Sequence, residues 1–214
     1  MSRPSRNQDQ LLIETAKRLL PELGSRNMSL KRLSEESGVN LGMIHYYFRN
    51  KSTLMRRVLE SVHEELLREF ETRALSGKTP LERLRSGLIG IALGVQKRRK
   101  MIVSFFGDMI GSRDKEVSEF FRRVTARRIQ VIAPLIQQCQ KQGYIEPLPF
   151  YQILGFCMAA VNFPTIVAET IERLPIKQMR LPNFVTAQLS GKKAIIQRVD
   201  LALKAVSCKE RKRS

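Results

Sequence analysis

Residues 29–54, SLKRLSEESGVNLGMIHYYFRNKSTL, constrain the fold more than any other stretch of this chain. Ser29 suits the N-cap of a short helix, because its hydroxyl can accept from a backbone N–H left free in the first turn. Leu30 and Leu33 give that helix an apolar side. Gly38 falls where the chain has to reverse, a place for a left-handed backbone without a Cβ penalty. Asn40 then suits the cap of a second helix, Leu41 to Phe48, and Asn50 the cap of a third. Two short helices joined by a tight turn form a helix-turn-helix. Such a motif lays its second helix in the major groove of DNA, so the stretch implies recognition of duplex DNA.

The run Gly38-Val39-Asn40-Leu41-Gly42-Met43-Ile44-His45-Tyr46-Tyr47-Phe48-Arg49-Asn50-Lys51 resembles the signature of the tetracycline-repressor (TetR) family, G-V-S-x-G-x-[LI]-Y-x-[HY]-F-x-[SN]-K. The preceding Leu12-Ile13-Glu14-Thr15-Ala16, Leu19-Leu20, Glu22 and Gly24 look like that family's first helix. The resemblance covers about residues 10–56 and implies an all-α, nine-helix fold. It implies a DNA-binding head over residues 1–55, a larger effector-binding and dimerisation body over 56–208, and a basic tail at 209–214. On the family's pattern Leu41, Gly42 and Met43 face the groove floor, with His45, Tyr46 and Tyr47 alongside. Ile44 and Phe48 point inward. Ser29 and Lys31 reach from the preceding helix, and Lys51 forms a phosphate anchor at the start of the next. Three residues depart from the pattern. His45 stands in place of tyrosine. Met43 replaces a small polar residue and favours apolar contact with a thymine methyl. Pro21 predicts a bend between Lys17 and Pro21.

The net charge of +18 points to an anionic partner, with nucleic acid as the default. Its placement is uneven. Residues 1–75 hold 13 basic and 10 acidic side chains, whereas residues 76–214 hold 25 and 10. Clusters at Lys97-Arg98-Arg99-Lys100, Arg122-Arg123, Arg127-Arg128, Lys192-Lys193 and Lys209 to Arg213 read either as a solvated basic surface or as receptors for an acidic ligand. Cys139, Cys157 and Cys208 are widely spaced and form no CxxC pair, which argues for buried thiols in a reducing compartment. His45 and His63 sit apart from any cluster with metal-ligand spacing. No phosphate loop, nucleophile elbow or zinc-protease helix is present, so neither metal, cofactor nor catalysis is expected. The opening residues lack an apolar signal core, and the apolar run from Ile153 to Ala168 is shorter than a bilayer span. The expectation is a cytoplasmic protein, nucleoid-associated on DNA, without a membrane partner.

Apolar periodicity fits helices almost throughout, and strand signals are missing. The expected helices run from Lys51 to about Arg73, Pro80 to about Lys97, Met101 to Ile110, Lys115 to Gln142, Phe150 to about Arg173, and Gly191 to Val206. Residues Leu174 to Ser190 read as irregular.

The resemblance also implies that the last two helices of each subunit build a four-helix bundle in a homodimer. Gly155 and Ala159 would allow close approach there, with Ile195, Val199 and Val206 as the apolar seam. Ser86, Gly87, Gly90 and Gly94 share one side of a helix, so either a neighbouring helix or a ligand approaches closely. Met101, Phe105, Phe106, Met109, Phe120, Phe121, Phe156, Met158 and Phe163 wall an apolar effector cavity or belong to ordinary core. The implied function is a repressor at a near-palindromic operator, released by a small apolar effector, with an acidic group on that effector as an open alternative. A second reading is a basic helical adaptor for acidic proteins or membrane surfaces.

Overall fold

The computed structural model describes residues 8–109, 115–173 and 182–208, apart from the side chains of residues 25–26, 105–109, 115–118, 120–121 and 125. These residues form nine helices: α1 Gln8–Asn27, α2 Leu30–Ser37, α3 Leu41–Phe48, α4 Lys51–Ala74, α5 Pro80–Met109, α6 Lys115–Lys141, α7 Phe150–Glu172, α8 Asn183–Ser190 and α9 Lys192–Val206. Among the described residues the only strand-like pairing is an isolated bridge between Ile145 and Ser207.

The number of helices matches the sequence reading, but the partition differs. One helix, α5, runs straight through Lys97-Arg98-Arg99-Lys100, where two were expected. Lysine and arginine are good helix formers, so a polar run is no break. Lys97 and Lys100 are exposed, while Arg98 reaches Glu69 at 3.0 Å and Arg99 reaches Glu169 at 3.1 Å. The stretch read as irregular contains α8, which begins directly after Pro182. Proline there precedes the first helical residue, where it interrupts no intrahelical bond. In α1 the break lies at Gly24 (φ 70°, ψ 163°) rather than near Pro21. That conformation is essentially restricted to glycine.

Contacts divide the chain into two units. The first joins Met1–Glu65 with Lys100–Val124, and the second joins Leu66–Arg99 with Thr125–Ser214. In the first, α1, α2 and α3 pack together around Leu12, Ala16, Leu20, Met28, Leu33, Ile44 and Phe48, all nearly or wholly buried. Leu54, Val58 and Val62 of α4 are buried too. Lys17 of α1 joins Glu14 at 2.8 Å, and Glu65 of α4 at short range.

In the second unit α7 packs on α8 and α9, and α8 on α9. Ile153, Leu154, Cys157, Val161, Thr165 and Ala168 form the buried side of α7. Burial pushes the thiols of Cys139 and Cys157 up to about 11, so both stay protonated and unreactive near neutral pH. By length and composition α7 could cross a membrane, against the sequence expectation of a segment too short to span. Nor is it wholly buried: Tyr151, Gly155, Phe156, Ala159 and Phe163 face outward.

The glycine row of α5 receives α4. A Cβ on Gly87 would lie 2.5 Å from the Phe70 ring, and one on Gly90 would lie 2.7 Å from the Glu69 carbonyl oxygen. A Cβ on Gly94 would collide with the side chains of Glu69 and Leu66. A ring or side-chain tip can turn aside, but the backbone carbonyl facing Gly90 cannot. Gly90→Ala should therefore lower stability by about 1–2 kcal/mol, overpacking outweighing the gain in helix propensity. Chemical denaturation would read this, and a more stable variant would refute the close approach.

Candidate nucleic-acid interface

Local hydrogen bonds fix α2, α3 and the start of α4. Ser29 Oγ accepts from Arg32 N at 3.0 Å, Asn40 Oδ1 from Gly42 N at 2.8 Å, and Asn50 Oδ1 from Thr53 N at 2.8 Å. Gly38 takes the left-handed conformation (φ 70°, ψ 5°), and its N–H donates to the Ser34 carbonyl. Two serines hold the turn from either side. Ser34 Oγ donates to the Val39 carbonyl at 2.7 Å, and Ser37 Oγ accepts from Val39 N at 3.2 Å. The result is a helix pair whose angle is set by short, capped bonds.

Helix α3 has two unlike sides. Ile44 and Phe48, one turn apart, are 0% and 2% exposed and tie the helix to the head. Leu41, Gly42, His45 and Tyr46 face solvent, with Met43 and Tyr47 at intermediate depth. Tyr46 is 69% exposed. The two tyrosine rings meet edge to face, 5.5 Å between centroids. Tyr47 leans toward the head: its hydroxyl titrates above the ordinary tyrosine value, through burial first and then through Asp9 and Tyr46. It thus remains a protonated donor. The Nδ1 of His45 lies 3.2 Å from the Arg49 carbonyl, which can only accept, so that nitrogen carries the proton.

Arg49 joins α3 to α4 at φ 56°, ψ −50°, with Asn50 N donating to the Phe48 carbonyl. Such a turn is strained for a side-chain-bearing residue. It places Lys51 in the first turn of α4, next to the exposed edge of α3. Exposed Lys31 and Ser29 lie on the rim of an open depression of about 510 Å³, together with Leu23, Asn27, Arg32 and Glu35. Nothing in the local sequence singles out Asn27 or Arg32. The depression forms where the end of α1 meets the start of α2, a juxtaposition that local sequence patterns do not encode. Arg32 is partly engaged, pairing with Glu36 at 2.8 Å.

The candidate body residues fare differently. Gly90 is occupied by α4 and offers no space to a ligand. Phe156 and Phe163 are 47% and 65% exposed on the outward face of α7, so they wall no enclosed cavity of the subunit. Met101 is buried and Ser86 half-buried. The side chains of Phe105, Met109, Phe120 and Phe121 lie outside the described residues. Gly155 and Ala159 are exposed, as an interface requires. Ile195, Val199 and Val206 are 0%, 0% and 5% exposed, and α9 closes them against its own subunit. A residue with no accessible area has none to bury, so the expected seam on these three residues does not hold. Among the described residues no three of His, Cys, Asp and Glu gather as metal ligands.

Residues 12–58, which hold α2, α3 and their packing partners, match the family model described as bacterial regulatory proteins, tetR family. Over those residues the chain carries the DNA-binding head of the TetR family. It is a DNA-binding transcriptional regulator. The probable HTH-type transcriptional regulator YttP of Bacillus subtilis is 23% identical over 175 residues, 81% of this chain and 84% of YttP. Solved structures show the same fold over nearly the whole length. A TetR-family regulator from Mesorhizobium loti superposes with a TM-score of 0.71 at 14% identity, covering 97% of this chain and 100% of that one. A transcriptional regulator from Saccharomonospora viridis, in complex with choline, has a TM-score of 0.71 at 17% identity, covering 94% and 98%. The TetR match thus fixes the head by sequence, and the body by fold alone.

Proposed function

We propose that this TetR-family regulator binds a near-palindromic operator as a homodimer, represses transcription there, and is released by a small effector with an apolar body. One observation carries the reading: Leu41, Gly42, His45 and Tyr46 stand free on a helix whose opposite side is closed into the head. An exposed apolar and aromatic helix face on a capped, rigid mount suits a major groove. Leu41 and Met43 offer thymine methyls a contact, Gly42 lets the backbone come close, and Tyr46 and the outer nitrogen of His45 supply polar readout. Without an arginine on this face, DNA shape contributes the remaining selectivity. Ser29, Lys31, Tyr47 and Lys51 hold phosphates and set the register.

Dimerisation follows from the outward stripe of α7, where Tyr151, Phe156 and Phe163 alternate with Gly155 and Ala159. Repression is the simplest outcome for a body that controls occupancy by moving two heads apart. Action on chromosomal DNA places the protein in the cytoplasm. The choline in the Saccharomonospora viridis regulator belongs to that protein, and the arginine-rich body of this one is a poor host for a cation.

Selection of bound duplexes from a random pool, followed by binding at several salt concentrations, tests the proposal. Lys51→Ala should weaken binding to every sequence and reduce the salt slope by about 1 for each subunit. An unchanged slope removes Lys51 from the phosphate contacts. No preference for any duplex over random competitor removes the operator itself.

A further inference from the structure

His45 is bonded twice to one residue at the end of α3. Its backbone carbonyl accepts from Arg49 N at 2.8 Å, and its ring Nδ1–H donates to the Arg49 carbonyl at 3.2 Å. Arg49 is the positive-φ residue that closes α3 onto α4, so the ring is tied to a carbonyl whose place the turn fixes. With the proton on Nδ1, the other ring nitrogen of the neutral imidazole, Nε2, is an acceptor. His45 is exposed, and among the described residues Nε2 meets no donor.

The other polar side chains assigned to the DNA have the opposite character. Lys31 and Lys51 carry only donors, and the hydroxyls of Ser29 and Tyr46 each have a proton to give. All four suit a phosphate, whose oxygens accept. Neutral Nε2 does not, because its lone pair would face those of the anion. In the major groove the donors are the exocyclic amines, N6 of adenine and N4 of cytosine, whereas guanine O6 and N7 and thymine O4 accept. His45 follows Leu41 and Gly42 by one turn, on the side of α3 that stands clear of the head. Gly42 has no side chain to hold that turn away from a base edge.

We infer that His45 reads the exocyclic amine of one base in each half-site, adenine N6 or cytosine N4, through Nε2. This rests on the operator-binding regulator proposed above and names the chemistry that one position of its operator carries. The bond from Nδ1–H to the Arg49 carbonyl makes the choice, since it keeps the ring proton on the side away from the base. Guanine O6 or thymine O4 at that position would set an acceptor against an acceptor. Such a mismatch in a desolvated groove costs more than a matched bond gains, so the position discriminates chiefly by rejection.

The test uses the full chain at pH 8, where histidine is ordinarily neutral. Duplexes selected by the wild type from a random pool should carry adenine or cytosine at one position per half-site. His45→Phe, with a ring but no nitrogen, should leave that position unspecified, and His45→Arg, which only donates, should turn it to guanine. Removing the amine alone needs no variant: purine replaces adenine, or 2-pyrimidinone replaces cytosine, in both half-sites. This should weaken wild-type binding by about tenfold and leave His45→Phe unaffected. Which of the two replacements acts tells the bases apart. Guanine or thymine at the wild-type position, or no position that changes with His45, overturns the assignment. So does an equal loss in His45→Phe, or amine removal without effect, which would hand His45 to the phosphates. In each of those cases tight binding to a selected duplex leaves the regulator standing. Failure to prefer any duplex over random competitor removes the regulator, and this inference with it.

Discussion

Phe163→Arg should leave the protein monomeric and lower its operator affinity by at least about a thousandfold at physiological salt, toward the level of non-specific binding. Phe163 is 65% exposed and touches no core, so the change should not alter the helical content of the subunit. It lies on a stripe with Tyr151, Gly155, Phe156 and Ala159, which recur on one side of α7. Gly155 and Ala159 let a partner helix approach, and the aromatic rings supply the area to bury. An arginine in the middle of that contact would be desolvated without a partner. One head alone reads a single half-site and loses the additive contribution of the second. Sedimentation would report the oligomeric state and a binding isotherm the affinity. Were Phe163→Arg still a dimer while Leu201→Arg on α9 was a monomer, the seam would belong to α9.

The DNA-binding head could be read from the chain because its determinants are local. Ser29, Asn40 and Asn50 each cap a helix within three residues of themselves. Gly38 takes the positive φ that its place in the turn required. Ile44 and Phe48 are buried as helical spacing demands. The body was less legible because periodicity tells which face of a helix is covered, but not what covers it. Ile195, Val199 and Val206 form a true apolar row, yet α9 turns it inward. Phe156 and Phe163 look like cavity wall by composition and prove to be surface. The glycine row on α5 announced a close approach, and only the fold shows α4 filling it. Arg49 is the opposite case: nothing about arginine signals a positive φ, and the strain arises from closing α3 onto α4. In the sequence the polar run in α5 looks like a gap, because its counter-charges, Glu69 and Glu169, lie far away along the chain.

Glu169→Ala should lower the melting temperature by roughly 6–12 °C, the consequence of losing about 3 kcal/mol in a chain of this size. Glu169 is 6% exposed, yet it carries a charge. Its two oxygens are divided between two helical positions. Oε2 accepts from Arg99 Nε of α5 at 3.1 Å, and Oε1 from Arg173 Nε at the end of its own helix at 3.0 Å. Removing the carboxylate leaves two guanidiniums facing each other across a partly closed space, with a cavity where the side chain stood. The arginines are about one-third exposed and can recover some hydration, which keeps the loss at the low end for a broken buried pair. Glu169→Gln retains an acceptor and should fall between the wild type and alanine. An isosteric amide as destabilising as alanine would mean that the charge, not the hydrogen bonds, matters most. A fully stable Glu169→Ala would show that α5 and α7 are held by apolar packing alone, and that this ion pair contributes only to which arrangement of α7 the subunit adopts.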